Sequence, residues 1–202
     1  MEIKVRNLHK TYANFLLNIE EEIFTSGSVT ALTGPNGKGK TTFLRILAGL
    51  DDDYTGEIAY DGKPLGRQIR RCMTMTFQTP MPLYRTVYAN IEYPLKIRGA
   101  ARAARKERVE ELLDKLSIRH LAKVNAGRLS GGESQKVALA RGLSFKPRIL
   151  LLDEPFSAID QQSIKDMMDC IADYNRATGA TIVLVSHDSA QIERLSSRVV
   201  EI

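Results

Sequence analysis

Residues 34–42 read Gly-Pro-Asn-Gly-Lys-Gly-Lys-Thr-Thr, and no other stretch limits the folds open to this chain so tightly. They fit the phosphate-loop pattern G-x-x-x-x-G-K-[ST], with Gly34, Gly39, Lys40 and Thr41 at the fixed positions. The residues before them, 29–33, are short, apolar and β-branched, as a buried strand should be. The residues after them, 43–48, read as helix. Glycines let successive N–H groups point into one concavity, and a helix start adds unpaired donors and a positive dipole end. Pro35, Asn36, Gly37, Lys38 and Thr42 complete the loop. This context predicts that the loop binds a nucleoside triphosphate, with Lys40 between the β- and γ-phosphates and the Thr41 hydroxyl on Mg²⁺.

The rest of the chain alternates strand and helix around that loop. Residues 2–5 and 16–22 pattern as strands separated by the turn-like Tyr12-Ala13-Asn14, and 56–60 with the turn Asp61-Gly62 reads as a hairpin. Residues 73–77 form a further strand ending at Gln78. Composition then changes: Pro80 and Pro82 exclude regular helix, and Pro94 is expected to interrupt the next segment. Val109, Leu112, Leu113 and Leu116 recur at helical spacing, and a second helix is expected over 133–144. Strand character resumes at 148–153, followed by a helix over 162–176, a strand over 181–185, a short helix and a last strand at Val199. The pattern predicts an α/β fold with a mostly parallel sheet, an N-terminal antiparallel β subdomain and an inserted helical subdomain. It is read as one domain over 1–202, with a core of 1–77 and 146–202 and a helical part at about 78–145.

Bulk properties narrow the surroundings. The longest apolar runs are far too short to cross a bilayer, and residues 1–4 start directly into a strand pattern with no signal-like apolar region. Cys72 and Cys170 form no metal or redox motif, so buried thiols in a reducing, cytoplasmic setting are expected. The net charge of +5 fits several partners and selects none, and no basic run is interleaved with aromatics as a single-strand binder requires. Arg98, Arg102, Arg105, Lys106 and Arg108 cluster just before the helical stripe; a solvated basic face is the expected reading.

Two further sequences carry chemistry. Asp153-Glu154 follows an apolar strand, at the carboxyl end where open parallel sheets place their ligands. Asp153 is the candidate carboxylate for the Mg²⁺ held by Thr41, and Glu154 the candidate base for an attacking water. Residues 129–133, Leu-Ser-Gly-Gly-Glu, make a second anion-binding helix start without a lysine; Ser130 and Glu133 also have capping-box spacing. Both readings can hold together. Two such helix starts in one chain suggest that Ser130, Gly131 and Gly132 serve a nucleotide on another copy.

Across essentially its whole length the sequence resembles the nucleotide-binding subunits of ABC (ATP-binding cassette) transporters. The motifs fall in that family's order: residues 34–41 resemble its Walker A, Gln78 its Q-loop, 129–133 its signature, 149–154 its Walker B with catalytic glutamate, 157–160 its D-loop and His187 its switch histidine. The resemblance implies an ATPase with ATP and Mg²⁺, a P-loop NTPase core, Gln78 touching the metal or the water, and His187 hydrogen-bonding the γ-phosphate and steadying the attacking water. It also implies a head-to-tail pair in which Asp160 couples the two sites, and Tyr12 stacking on adenine. Lys38, Glu133, Lys136 and Ile159 depart from the family's commonest residues without removing a catalytic group.

As a member of that family the chain is expected at the cytoplasmic face of a membrane, energising separate membrane subunits that dock near residues 79–98, with a separate substrate-binding protein and no nucleic acid. Residues 86–99 are most similar to bacterial or archaeal importer subunits, those for oxyanions such as molybdate or tungstate among them. Efflux or lipoprotein release, a non-transport ATPase acting on nucleic acid, and a module that binds ATP but hydrolyses little are the competing readings.

Overall fold

A computed structural model describes residues 1–202 except 13, 14 and 158, and of Tyr12 and Phe15 the backbone alone. The chain divides into two compact units: Met1–Met75, Arg148–Glu154 and Tyr174–Ile202 make the first, Thr76–Pro147 and Pro155–Asp173 the second.

The first unit contains the antiparallel strands β1 (Ile3–Tyr12), β2 (Phe15–Phe24) and β4 (Thr55–Tyr60), in spatial order β2-β1-β4. The strand β3 (Val29–Thr33) leads into helix α1 (Lys40–Leu47), and a short helix α2 (Arg67–Arg71) precedes β5 (Met73–Thr76). With β6 (Ile149–Asp153), β7 (Thr181–Val185) and β8 (Arg198–Glu201) these form a second sheet ordered β5-β6-β7-β3-β8. The ladders β3–β7, β3–β8 and β6–β7 are parallel. β6 and β7 are buried along their whole length, which is why they read as unbroken apolar runs. α1 turns Phe43, Leu44, Ile46 and Leu47 into a core shared with Ile3, Val5, Phe24, Tyr60, Leu151 and Val183. Burying each such side chain contributes about 1.5–3 kcal/mol, and this anchors the helix that begins at the phosphate loop.

Two expectations change here. β4 pairs with β1; its turn at Asp61-Gly62 makes only an isolated bridge, Tyr60 to Lys63, so the expected hairpin is not a two-stranded unit. β1 also runs well past Val5. A bulge lies between Arg6 and His9, and Asn7 has φ 47°. Buried positions therefore step from Ile3 and Val5 to Leu8 and Lys10, which breaks strict alternation.

The second unit is largely helical: α3 (Val87–Ile97), α4 (Arg102–Lys115) and α5 (Gly131–Leu143), with α6 (Gln161–Thr178) lying mainly in it. The expected stripe Val109, Leu112, Leu113 and Leu116 is buried. α3 does not stop at Pro94: the proline lies inside it, near the last turn, where only one helical bond is forfeited. The basic cluster is not a simple solvated face. Arg98 lies 3.6 Å over the Phe145 ring, Arg105 pairs with Glu92 at 2.9 Å, and Arg108 caps α5 by donating to the carbonyls of Leu143 (2.8 Å) and Ser144 (3.2 Å). Arg102 and Lys106 remain exposed. Cys170 is buried as expected, whereas Cys72 is only partly so. A last short helix, α7 (Ser189–Leu195), belongs to the first unit.

Candidate functional site

In the first unit β3 ends at Thr33 and the chain turns through Gly34 (φ 131°), Gly37 (81°) and Gly39 (93°) into α1. L-residues rarely adopt these angles, so the glycines set the path of the loop. Gly34 is constrained twice, because a Cβ there would lie 2.2 Å from the Ile202 carbonyl oxygen. Pro35, Asn36, Gly37 and Lys38 are exposed, as is Thr41. The first-turn N–H groups of Lys40, Thr41 and Thr42 point out of the helix start without helical partners. Lys40 is 6% exposed and its Nζ donates to the carbonyls of Gly34 and Pro35, each at 2.8 Å. Burial lowers its pKa, while the charges of Glu154 and Asp153 oppose the shift.

The carboxylates stand at the end of β6. Asp153 is 2% exposed, and its Oδ1 accepts a hydrogen bond from Thr41 Oγ1 at 3.0 Å. Burial pushes the Asp153 pKa up; the Thr41 bond opposes this and the neighbouring Glu154 charge adds to it. Two hard oxygens so close fit a small divalent cation that takes its remaining ligands from water and phosphate. Among the described residues no cluster of three or more His, Cys, Asp or Glu forms a dedicated metal cage. Glu154 has φ 44°, a strained value for a non-glycine residue, and its N–H donates to Val185 O at 3.2 Å. That turn sends its side chain away from Asp153's direction and brings Oε1 within 3.2 Å of His187 Nε2. His187 follows β7 directly; Asp188 beside it caps α7 through Gln191 N–H at 3.0 Å.

The other predicted residues belong to the second unit. Ser130 caps α5 in a complete capping box with Glu133. Gly132 backs onto Ile159, whose Cγ2 would be 3.2 Å from a Cβ there. Gly131 faces open space, so nothing among the described residues demands a glycine at that position. Asp160 is exposed and caps α6, accepting from Ser163 N–H at 2.9 Å; the Ser163 bonds hold its carboxyl below the usual range. Gln78 is exposed, and its carbonyl accepts from the buried Gln135 Nε2 at 2.5 Å. α5 is tied to α6 by Lys136 and Asp166 at 3.2 Å. Gln78, the 130–133 helix start and Asp160 are thus linked within one unit. The Tyr12 side chain and Ala158 lie outside the described residues.

Sequence reasoning missed Asn90. It is fully buried: its Oδ1 accepts from Leu83 N–H at 2.8 Å, and its Nδ2 donates to the carbonyls of Leu83 (3.0 Å), Thr86 (3.0 Å) and Arg85 (3.3 Å). The signal was available, since an amide on the buried stripe with Val87, Ile91 and Pro94 needs internal partners. Asn90 pins the segment that carries Met81 (82% exposed) and Tyr84 (88% exposed).

Residues 18–157 match the family model described as ABC transporter. A tungstate uptake system ATP-binding protein of Peptoclostridium acidaminophilum is 44% identical over 201 residues, covering 99% of this chain and 94% of that protein. A sulfate/thiosulfate import ATP-binding protein of Neisseria meningitidis serogroup A is 38% identical over 210 residues, although the chain spans only 58% of its length. Among solved structures, the ATP-binding cassette MJ0796, dimeric and bound to ADP and phosphate, superposes with a TM-score of 0.88 at 30% identity, covering 99% of this chain and 94% of that one. The chain belongs to the ABC transporter family, as one of its ATP-binding and ATP-hydrolysing subunits.

Proposed function

We propose that this chain is the motor subunit of an importer whose cargo is an oxyanion of the tungstate or molybdate kind. The observation that carries the motor reading is the pair of contacts at the end of β6: Asp153 bonded to Thr41 of the phosphate loop, and Glu154 against His187. The loop N–H groups and Lys40 bind the phosphates of ATP, and Thr41 and Asp153 would hold Mg²⁺. Bound there, Mg²⁺ supplies charge neutralisation for phosphoryl transfer. Glu154 takes the proton of the attacking water, and His187 orients the Glu154 carboxylate and the terminal phosphate. Lys38 and Thr42 line the phosphate loop, and Tyr12 stacks on the adenine.

The whole chain acts as one cassette, with an α/β core over 1–77 and 146–202 and a helical subdomain at about 78–145. Ser130, Gly131 and Gly132 close over the nucleotide of a second copy, a reading supported by the open space in front of Gly131. Asp160 couples the two sites of that pair. No helix among the described residues is long and apolar enough to cross a membrane, so the transport path belongs to other subunits. These dock near residues 79–98, a reading supported by the exposed Met81 and Tyr84, and the chain works at the cytoplasmic membrane face. A separate binding protein delivers the cargo. Import and the oxyanion are supported by the tungstate and sulfate relatives.

Glu154→Gln tests the motor. It should bind ATP with unchanged affinity, accumulate as an ATP-dependent dimer and hydrolyse about 10²–10⁴-fold more slowly. Turnover at the wild-type rate would remove Glu154 from its role. For the cargo, the assembled transporter should show ATPase stimulation by tungstate or molybdate bound to its binding protein. Equal stimulation by an unrelated solute would count against the oxyanion.

A further inference from the structure

The capping box at Ser130 has a consequence for closure of the paired site. The Glu133 N–H donates to Ser130 Oγ at 3.3 Å, and Glu133 Oε2 accepts both the Ser130 N–H at 2.7 Å and the Ser130 hydroxyl at 2.8 Å. A serine hydroxyl has one proton to give, and here Glu133 receives it. We infer that Glu133 is a positioning residue that restrains ATP-driven pairing, because its carboxylate holds the Ser130 donors that the second copy's terminal phosphate must capture. This rests on the proposed function, in which Ser130 meets a phosphate on another copy.

Two effects act in the same direction. The Ser130 hydroxyl has to turn away from a carboxylate before it can donate to phosphate. The arriving acceptor is also negative, and it approaches within the first helical turn of a side chain that is itself ionised. The Ser130 bonds hold the Glu133 pKa below the usual carboxylate range, so the charge persists at neutral pH. His120 and Lys136 act on this carboxylate only after the Ser130 bonds, and Lys136 is itself engaged by Asp166 at 3.2 Å. Glutamine at this position would keep the backbone half of the capping box, since its amide oxygen accepts the Ser130 N–H equally well, but it brings no charge. The two roles of Glu133, capping the helix and restraining the phosphate, can therefore be separated by one substitution.

The test uses the full chain in a Glu154→Gln background, where the ATP-bound pair accumulates. The readout is the ATP concentration giving half-maximal dimer, followed by light scattering after size exclusion. Adding Glu133→Gln should lower that concentration about three- to tenfold at low salt, as expected for one like charge beside an exposed helix start. The gap should narrow as ionic strength rises, because the effect is one of charge. Thermal melting without nucleotide should stay within about 2 °C, a fraction of the loss expected from a broken cap. Glu133→Ala, which removes both cap and charge, should melt earlier yet still pair at lower ATP than the parent. An unchanged or higher half-maximal ATP concentration for Glu133→Gln, or a salt-independent gap, overturns the inference alone. Failure of the Glu154→Gln parent to dimerise with ATP overturns the two-copy reading and the inference with it.

Discussion

Replacing Gly34 by alanine tests whether the phosphate loop is held from outside as well as by its own glycines. Gly34 has φ 131°, and a Cβ there would lie 2.2 Å from the Ile202 oxygen and 3.3 Å from its carbonyl carbon. Ile202 cannot yield freely. Its N–H donates to Thr33 O at 3.0 Å, Glu201 pairs with Thr33 in the parallel ladder, and Arg198 anchors β8 to Glu22 at 2.5 Å and to the Ile23 carbonyl at 2.6 Å. Reaching ordinary van der Waals separation requires a shift of roughly 1 Å in either β8 or the loop. The left-handed backbone costs about 1–2 kcal/mol with a Cβ, and overpacking about 1–3 kcal/mol more. At about 2–4 °C per kcal/mol for a chain of this size, the melting temperature should fall by roughly 10 °C. Circular dichroism melts without nucleotide read the stability, and titration with a fluorescent ATP analogue reads the loop. Two controls separate the contributions. Gly62→Ala, with φ 74° and nothing among the described residues within 4 Å of the new Cβ, should cost only about 1 kcal/mol and leave ATP binding intact. Gly37→Ala, equally open at φ 81°, should lose ATP affinity while costing no more stability than Gly62→Ala. A Gly34→Ala protein that melts within about 2 °C of the parent would refute the claim that β8 braces the loop.

Four other outcomes are expected from the same geometry. Burial raises the Asp153 pKa, so this carboxyl contributes fully to stability below its unfolded pKa and loses that contribution as pH rises through the folded value. Asp153→Asn should therefore raise the melting temperature of the metal-free protein at neutral pH while cutting Mg²⁺-dependent hydrolysis at least about 100-fold; lower stability there contradicts the sign. In the wild type, the Mg²⁺ concentration needed for half-maximal ATPase should begin to climb on acidification at a higher pH than an exposed aspartate would give. Lys38 is exposed on the loop and has no side-chain partner among the described residues, so Lys38→Ser should raise the KM for ATP about two- to fivefold at low salt with kcat nearly unchanged. A KM indifferent to the substitution would show that this cation does not reach the phosphates. Asn90→Ala removes four buried bonds and should cost about 3 kcal/mol, with faster proteolysis around Tyr84; a loss under about 1 kcal/mol contradicts the pinning role.

The layout of the candidate site was legible because each piece is local. The strand, loop and first helix turn that carry residues 29–42 are consecutive, and β6 and β7 are buried on both faces, so their apolar runs lead straight to Asp153-Glu154 and to His187. What escaped depends on partners distant in sequence. Lys10 looks like a surface charge, yet the Asn7 bulge turns it inward onto Asp51 (3.0 Å) and the Asp53 carbonyl (2.7 Å). Arg98, Arg105 and Arg108 pattern as a solvated face, yet a ring, a carboxylate and carbonyls from α3 and around the end of α5 engage them. Pro94 argues against helix by its own chemistry, but it sits late enough in α3 for the buried Val87, Asn90 and Ile91 to outweigh one missing bond.

The same division explains why Glu154 could be singled out as a base while its geometry could not. Its position after Asp153 is plain in the sequence, but its φ of 44° is imposed from β7, through the bond from its N–H to Val185 O. That strained turn sends consecutive carboxylates to different tasks, one toward Thr41 and the other toward His187. An ordinary extended strand would also alternate them, but it would not bring Glu154 back over the end of β7. On the roles proposed for them, the strain is part of how adjacent acids would hold a metal and accept a proton without competing for one place.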